Sequence, residues 1–173
     1  MKTATRVSLG VFLILLAGGS VFWFERHYMG WFGESVDNMN AWQGQWQSWL
    51  DGQPELEHPA MVHLLPEDCL CRWFVRDHAG DLSDKAVQLG YQVYQTSVLL
   101  GEEQASLLKY PIDFASPGPL MILTNAEGEV RYLGPYSDGL RCNAETSLVD
   151  QWLPLELRGQ VVQLDANGCV CHW

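Results

Sequence analysis

Five cysteines are the residues of this chain best suited to covalent chemistry, and four of them form two Cys-x-Cys pairs. The first pair is Cys69 and Cys71, the second is Cys169 and Cys171, and Cys142 stands between them. A disulfide within a Cys-x-Cys pair closes a small, strained ring, and a strained disulfide is more easily reduced. If Cys69 bonds to Cys71, we expect an oxidising couple that passes on or reshuffles disulfides. Cys69 would be its nucleophile and Cys71 the resolving partner.

An odd number of cysteines leaves one thiol without a partner inside the chain. Cys142 is a candidate resolving thiol for the first pair. In the alternative interpretation it bonds to Cys169 or Cys171, and this structural disulfide fastens the C-terminal tail to the domain.

Metal binding is a second chemistry open to the same residues. Cysteine thiolates together with an imidazole are the ligands that Cu(I) and Zn(II) prefer. The candidate ligands in the tail are Cys169, Cys171 and His172. No other cofactor is expected. Thiol exchange, binding of copper or zinc, and a non-catalytic disulfide-bonded interaction module therefore stay open as functions.

The first cysteine pair lies where a predicted strand gives way to a predicted helix. Residues 58–65 have the apolar, β-branched character of a buried strand, 66–68 form a turn, and 70–89 have helical spacing. A second strand is predicted over 92–100, so the helix forms a parallel crossover. A thiolate at a helix N-terminus is stabilised by the helix dipole, which lowers its pKa.

The remainder of the domain continues the alternation of elements. We predict a short helix over 102–109, a proline-rich loop over 111–119, a hairpin over 120–133 and a final helix over 146–157. The fold class is therefore α/β, with a mixed sheet flanked by helices.

The N-terminus carries an apolar segment that predicts a membrane anchor. Residues 7–24 contain no charge and follow Lys2 and Arg6. Eighteen residues are near the minimum for a transmembrane helix, and the preceding positive charges place the N-terminus in the cytoplasm. A cleaved signal peptide is the alternative, and both readings export the domain to a compartment where disulfides persist. The predicted aromatic belt at the outer interface comprises Trp23, Phe24, Tyr28, Trp31 and Phe32.

A tryptophan-rich helix is predicted after the anchor, over 37–50, with its tryptophans packed against the domain or the membrane surface. The predicted division of the chain is 1–6 cytoplasmic, 7–24 transmembrane, 25–57 juxtamembrane and 58–173 the main domain. The net charge of −11, with no basic stripe, excludes nucleic acid as a partner.

The order of elements over 58–153, with a cysteine pair at the first strand–helix junction, resembles the thioredoxin fold. In that fold a cis-proline precedes the hairpin, and the resemblance assigns this role to Pro119, with Pro117 as the second choice. Ordinary thioredoxins have two residues between their cysteines and a tryptophan before the first. Here one residue intervenes and Asp68 replaces the tryptophan, which favours an oxidising or isomerising couple over a reductase.

Three motifs together resemble a family of uncharacterised, membrane-anchored thioredoxin-like proteins of Gram-negative bacteria. They are PEDCLC at 66–71, GPYSDG at 134–139 followed by Cys142, and GCVCHW at 168–173. The resemblance implies a single-pass protein of the inner membrane with a periplasmic domain. Its expected partners are exported proteins with thiols or disulfides.

Overall fold

Three α-helices and eight β-strands make up the part of the chain that the computed structural model describes, residues 2–100, 105–111, 116–139, 142–155 and 159–171. The helices are α1 (Lys2–Tyr28), α2 (Met39–Asp51) and α3 (Arg72–Gln88). The strands are β1 (Met29–Trp31), β2 (Ala60–Leu64), β3 (Gln92–Gln95), β4 (Ser106–Leu107), β5 (Leu120–Thr124), β6 (Val130–Pro135), β7 (Val161–Val162) and β8 (Asn167–Cys169).

Helix α1 is the apolar N-terminal helix that the sequence predicts. Its segment Val7–Tyr28 has 22 residues, a mean hydropathy of 2.2 and no part buried against the protein. This helix is long and apolar enough to cross a membrane. Helix α1 ends at Tyr28 and β1 begins at the next residue, Met29.

Six strands form a mixed sheet in the order β4-β3-β2-β5-β6-β7. Strands β2 and β3 are parallel and are joined by α3, whereas β5 is antiparallel to both β2 and β6. The β5–β6 turn ends at Gly128, whose φ of +85° is a conformation that favours glycine. The predicted mixed α/β class and the 120–133 hairpin are thus confirmed.

The two faces of the sheet are covered by different helices. Even-numbered residues of β2 and β5 pack in one core cluster with α2, and their odd-numbered apolar residues pack in a second cluster with α3. Such a split follows from the two-residue period of a strand, which sends successive side chains to opposite faces. Strands buried on both faces are apolar along their whole length, as these two largely are.

Helix α2 belongs to the core of the domain. Asn38 caps it by accepting a hydrogen bond of 3.1 Å from the backbone N–H of Ala41. Trp42, Trp46 and Leu50 follow at helical spacing and are buried against the sheet. The stripe therefore packs on the domain, and the segment predicted as juxtamembrane supplies part of its core.

Phe32 does not belong to an aromatic belt at the membrane. Its side chain is 2% exposed and lies in the same cluster as α2. The short turn of 3-10 helix at Phe32–Ser35 directs the ring inward, where it lies close to Gly168 of the tail.

Two predicted helices are wrong over the residues that the structure describes. In place of a helix over 102–109, β4 pairs in parallel with β3, and the N–H of Leu108 donates to the carbonyl of Gln95. In place of a helix over 146–157, the chain has a 3-10 turn at Asp150–Trp152. The N–H of Leu148 donates to the carbonyl of Tyr136, so it is not available for a hydrogen bond within a helix. Residues 101–104 and 156–158 lie outside the described residues.

Candidate functional site

The first cysteine pair lies in the turn that leads from β2 into α3. The N–H of Cys69 donates to the carbonyl of Pro66, and the N–H of Arg72 donates to the carbonyl of Cys69, both at 3.3 Å. Cys71 is the residue immediately before α3. Cys69 is 4% exposed and Cys71 is fully buried, so neither residue of the first pair is open to solvent in this state of the protein.

The tail is held from both sides. Strand β8 pairs antiparallel with β1, with Met29 opposite Cys169, and the N–H of Val170 donates to the carbonyl of Tyr28 at 2.8 Å. On its other side the N–H of Cys171 donates to the carbonyl of Pro117 at 2.7 Å. The second cysteine pair is therefore fixed between the end of α1 and the proline loop.

Two disulfides join the two Cys-x-Cys pairs crosswise, Cys69 to Cys171 and Cys71 to Cys169. Their Cα–Cα distances are 5.5 and 5.6 Å, within the usual range, and they join residues 102 and 98 positions apart. Cys69 is thus not bonded to Cys71. The sulfur atoms of Cys69, Cys71 and Cys171, which belong to two different disulfides, lie within 4.8 Å of one another.

The proline loop lies against the tail, but its prolines are not cis. Within the described chain the cis peptide bond is His58–Pro59, so the predicted cis role of Pro119, and of Pro117 as second choice, is wrong. The backbone of the tail passes very close to this loop, because a Cβ on Gly118 would lie 2.6 Å from the carbonyl oxygen of Cys169. The loop is held against the tail by a backbone hydrogen bond, from the N–H of Cys171 to the carbonyl of Pro117.

Cys142 is a free thiol, so the predicted bond from Cys142 to a tail cysteine is wrong. Both tail cysteines are already bonded to the first pair. Burial raises the pKa of Cys142 to about 11, although a hydrogen bond with Ser137 lowers it. Cys142 lines, with Cys169, Phe74 and other residues, a cavity of about 20 Å³. A thiol with this pKa is protonated near neutral pH and is a weak nucleophile.

A buried polar network lies among the elements that carry the site, and the sequence analysis missed it. His63 on β2 contacts the Tyr136 hydroxyl through Nδ1 at 2.7 Å and the Ser83 hydroxyl through Nε2 at 2.9 Å. Because Ser83 donates its own proton to the carbonyl of Ala79, His63 Nε2 must donate and Nδ1 must accept. Burial lowers the pKa of His63 to about 3, with His78 as a smaller cause. The signal available in the sequence was a histidine inside an otherwise apolar strand.

Three sulfur atoms are close enough to share a metal ion once the disulfides are reduced. They belong to Cys69, Cys71 and Cys171, and this group contains no histidine. The remaining candidate ligand, His172, lies outside the described residues. The thiolate groups present fit Cu(I) and Zn(II) by their chemistry.

The family of the chain is established by a match over residues 40–173 to the family described as Domain of unknown function (DUF6436). The chain belongs to this family. The DUF6436 segment begins in α2 and contains all five cysteines, whereas α1 and β1 precede it. No curated protein and no solved structure matches the chain.

Proposed function

We propose that this protein is a membrane-anchored, thioredoxin-like protein of the bacterial inner membrane, with its domain in the periplasm. The sheet order β3-β2-β5-β6, with α3 crossing between parallel β2 and β3, agrees with the order expected of a thioredoxin fold. The cysteine pair at the β2–α3 junction agrees with it as well. Lys2 and Arg6 ahead of the apolar segment support a cytoplasmic N-terminus.

Its proposed activity is thiol–disulfide exchange with exported proteins, of the oxidant or isomerase type, at the centre formed by Cys69, Cys71, Cys169 and Cys171. The observation that carries this proposal is the approach of three sulfur atoms from two disulfides to within 4.8 Å. The Cys-x-Cys spacing in both segments sets the two disulfides side by side, so a thiolate released from one lies near the other. Sulfur atoms at this separation need only a small shift to exchange bonds.

The first step is attack on the Cys69–Cys171 disulfide by a thiolate of the partner protein. Cys171 is the more accessible sulfur of this pair, since it is partly exposed and Cys69 is buried. Attack at Cys171 Sγ forms a mixed disulfide and releases Cys69 as a thiolate near the N-terminus of α3. The helix dipole stabilises that leaving group. A second thiolate of the partner then attacks its own sulfur in the mixed disulfide and releases Cys171.

The partner leaves with a disulfide and the centre gains two electrons and two protons in the form of the Cys69 and Cys171 thiols. A second transfer happens inside the protein. A thiolate of Cys69 or Cys171 attacks the Cys71–Cys169 disulfide, which lies within reach. This exchange re-forms the Cys69–Cys171 disulfide and leaves Cys71 and Cys169 reduced. The centre therefore stores two oxidising equivalents.

The test is the number of disulfides that the oxidised full chain makes in a reduced two-thiol peptide. With both disulfides active, one protein oxidises two peptides, in keeping with its two bonds. The matched variants remove one disulfide each. Cys71→Ser with Cys169→Ser and Cys69→Ser with Cys171→Ser each retain one disulfide and therefore at most one equivalent. The product is counted by mass spectrometry.

The exchange proposal fails if the wild-type protein oxidises no peptide, or if both double variants match it. Resistance of both disulfides to a mild thiol reductant would instead favour the non-catalytic, disulfide-bonded module. Cys142→Ser separately tests the resolving role predicted for Cys142. Participation of that thiol slows turnover in the variant, whereas an uninvolved thiol leaves turnover unchanged.

Binding of Cu(I) or Zn(II) by the reduced protein is the second candidate function, and the same close group of three sulfurs favours it. Titration of the reduced full chain with Cu(I) against a competing chelator is the measurement. Loss of binding in the variant with Cys169→Ser and Cys171→Ser, but not in Cys142→Ser, is the expected result if the cysteine cluster holds the metal.

A further inference from the structure

Three exposed apolar side chains surround the start of α3, beside the cysteine centre. Leu70 is 48% exposed, Trp73 51% and Phe74 45%. Leu70 lies in the turn that leads into α3, and Trp73 and Phe74 lie in the first turn of this helix. Single exposed apolar residues are common on protein surfaces, but a cluster that includes two aromatic rings marks an interaction surface. We name Leu70, Trp73 and Phe74 the apolar rim.

The apolar rim is continuous with the membrane helix. The ring of Phe74 packs edge-on against the ring of Phe24 of α1, with 5.6 Å between their centroids. Phe24 is the last residue of the charge-free segment that begins at Val7. If this segment fills the hydrocarbon core, Phe74 lies at the boundary between hydrocarbon and headgroups. Leu70 and Trp73 lie within one helical turn of it.

The position of the domain relative to α1 is fixed by backbone hydrogen bonds as well as by the aromatic contact. Strand β1 follows α1 directly and pairs with β8, and the carbonyl of Tyr28 accepts from the N–H of Val170. The tail that carries Cys169 and Cys171 is therefore bonded to the residue that ends the membrane helix. No flexible linker separates the anchor from the domain.

The charges near the apolar rim are of both signs. The Arg72 guanidinium stacks over the Trp73 ring at 5.0 Å and donates to Ser97, and Arg76 pairs with Asp77. Glu67 and Asp68 are exposed just before Cys69. Because positive and negative side chains are both present, the charges near the apolar rim give no preference for anionic lipids. A neutral headgroup layer suits a rim with tryptophan and arginine, which are amphipathic residues of membrane interfaces.

We propose that the interfacial layer of the bilayer covers the apolar rim, so that the domain docks on the membrane by Leu70, Trp73 and Phe74. The proposal rests on the membrane location of α1 proposed above, but it does not need the exchange chemistry. Its consequence is that the cysteine centre opens at the membrane surface. Proteins that reach Cys171 are then membrane-bound chains, or segments that lie close to the bilayer.

The experiment places a photoreactive amino acid, p-benzoylphenylalanine, at one of three positions of the full chain in phosphatidylcholine nanodiscs. Position 73 tests the apolar rim. Position 87 is the matched control, since Val87 is an exposed apolar residue of the same helix, 58% exposed and about 20 Å away along the axis. Position 12 tests insertion, because Phe12 lies in the middle of the apolar segment. Lipid adducts are detected as added mass on the labelled peptide.

Lipid adducts at positions 12 and 73, with none above background at 87, are the expected result. Adducts at position 12 alone overturn docking and leave the anchor intact. Their absence at position 12 overturns the anchor, and docking with it. Equal labelling at 73 and 87 overturns docking by this face. In native membranes, a crosslink from position 73 to another protein in place of lipid would also overturn the proposal, since that protein would then be the occupant.

Discussion

His63 illustrates at the scale of single residues how a titratable group can be fixed in one protonation state. Both of its ring nitrogens are occupied, Nδ1 by the Tyr136 hydroxyl and Nε2 by Ser83, within a fully buried setting. Protonation would add a hydrogen to Nδ1, the ring's second, against a hydroxyl that now donates to this nitrogen. Burial therefore lowers the pKa of His63 to about 3.

The depressed pKa of His63 predicts that the free energy of unfolding falls as the solution becomes acidic. In the unfolded chain His63 takes up a proton near pH 6.5, whereas in the folded protein it stays neutral until about pH 3. Its contribution is complete above about pH 6.5 and is lost as the pH falls toward 3, at up to about 1.4 kcal/mol per pH unit. Urea unfolding of the full chain in detergent at several pH values measures this slope.

His63→Gln should flatten the dependence, although the variant is less stable at neutral pH because the network is disturbed. His58→Gln is the matched control. Burial lowers the pKa of His58, but Asp51 raises it, and the side chain is less deeply enclosed. An unchanged slope in His63→Gln, or an equal loss in His58→Gln, would contradict the assignment of the acid sensitivity to His63.

At the scale of elements, the site depends on the close contact between the tail and the proline loop. Gly118 and Gly168 both lie where a Cβ would collide, the first with the carbonyl oxygen of Cys169 and the second with the ring of Phe32. The contact at Gly118 is with backbone, which cannot move aside as a flexible side chain does. The absence of a side chain at this position therefore allows the tail to reach the first cysteine pair.

Gly118→Ala should destabilise the protein by roughly 1–3 kcal/mol, the usual range for overpacking. It should also make both disulfides easier to reduce, because the tail is pushed away from the loop. Gly44→Ala is the matched control. Gly44 lies in α2 with nothing within 4 Å of the added Cβ, so the change should stabilise the helix by roughly 0.5–1 kcal/mol. Thermal unfolding and titration with a thiol reductant measure the two effects.

Equal stability of Gly118→Ala and the wild-type protein would show that the loop relaxes without cost. In that case the backbone near the Cys169 carbonyl can move away from the added Cβ, which would otherwise lie 2.6 Å from the carbonyl oxygen. A loss of stability without easier reduction of the disulfides would show that packing at Gly118 stabilises the fold but does not keep the tail in place.

The elements that the sequence predicts well are those with a long and regular apolar pattern. The strand containing β2 and the β5–β6 hairpin are apolar runs bounded by turn residues, and α3 has buried apolar residues at helical spacing. Strands β4, β7 and β8 have only two or three residues, which is too short for a period. The pattern over 146–157 has apolar residues at helical spacing, but Ser137 and Ser147 form a bridge that keeps the backbone extended.

The cysteine centre shows the same limit for the site. The residue types and the position of Cys69 and Cys71 before a helix are visible in the sequence. Their partners are not, because any of the five cysteines could be the free one, the other four then allow three pairings, and the pairing depends on where the tail folds. The tail is located by β1, three residues that follow α1 and have no strand signal of their own.

At the scale of the whole molecule, the two disulfides join the tail to the turn before α3, and the tail pairs with β1 at the end of α1. The β1–β8 ribbon contains three residue pairs, and a ribbon of two such short strands is marginal by itself. Each disulfide joins residues about one hundred positions apart, as the separations of 98 and 102 show. Disulfides that close long loops contribute typically 2–5 kcal/mol each. The ribbon is therefore expected to depend on the disulfides, whereas the six-stranded sheet has its own core on both faces.

This dependence predicts a local change when the disulfides are reduced. Backbone amides of Met29–Trp31 and Asn167–Cys169 should exchange with deuterium faster in the reduced full chain than in the oxidised one. Amides at the centre of β5 are the internal control, because their strand is hydrogen-bonded on both sides and fully buried, so their protection should change little. Hydrogen exchange of the nanodisc-embedded protein, read by mass spectrometry, measures both regions at once.

Protection of the ribbon that persists after reduction would mean that its hydrogen bonds and the packing of Phe32 hold the tail without the disulfides. Faster exchange confined to the ribbon would mean that the redox state of the cysteine centre sets how firmly the domain is joined to α1.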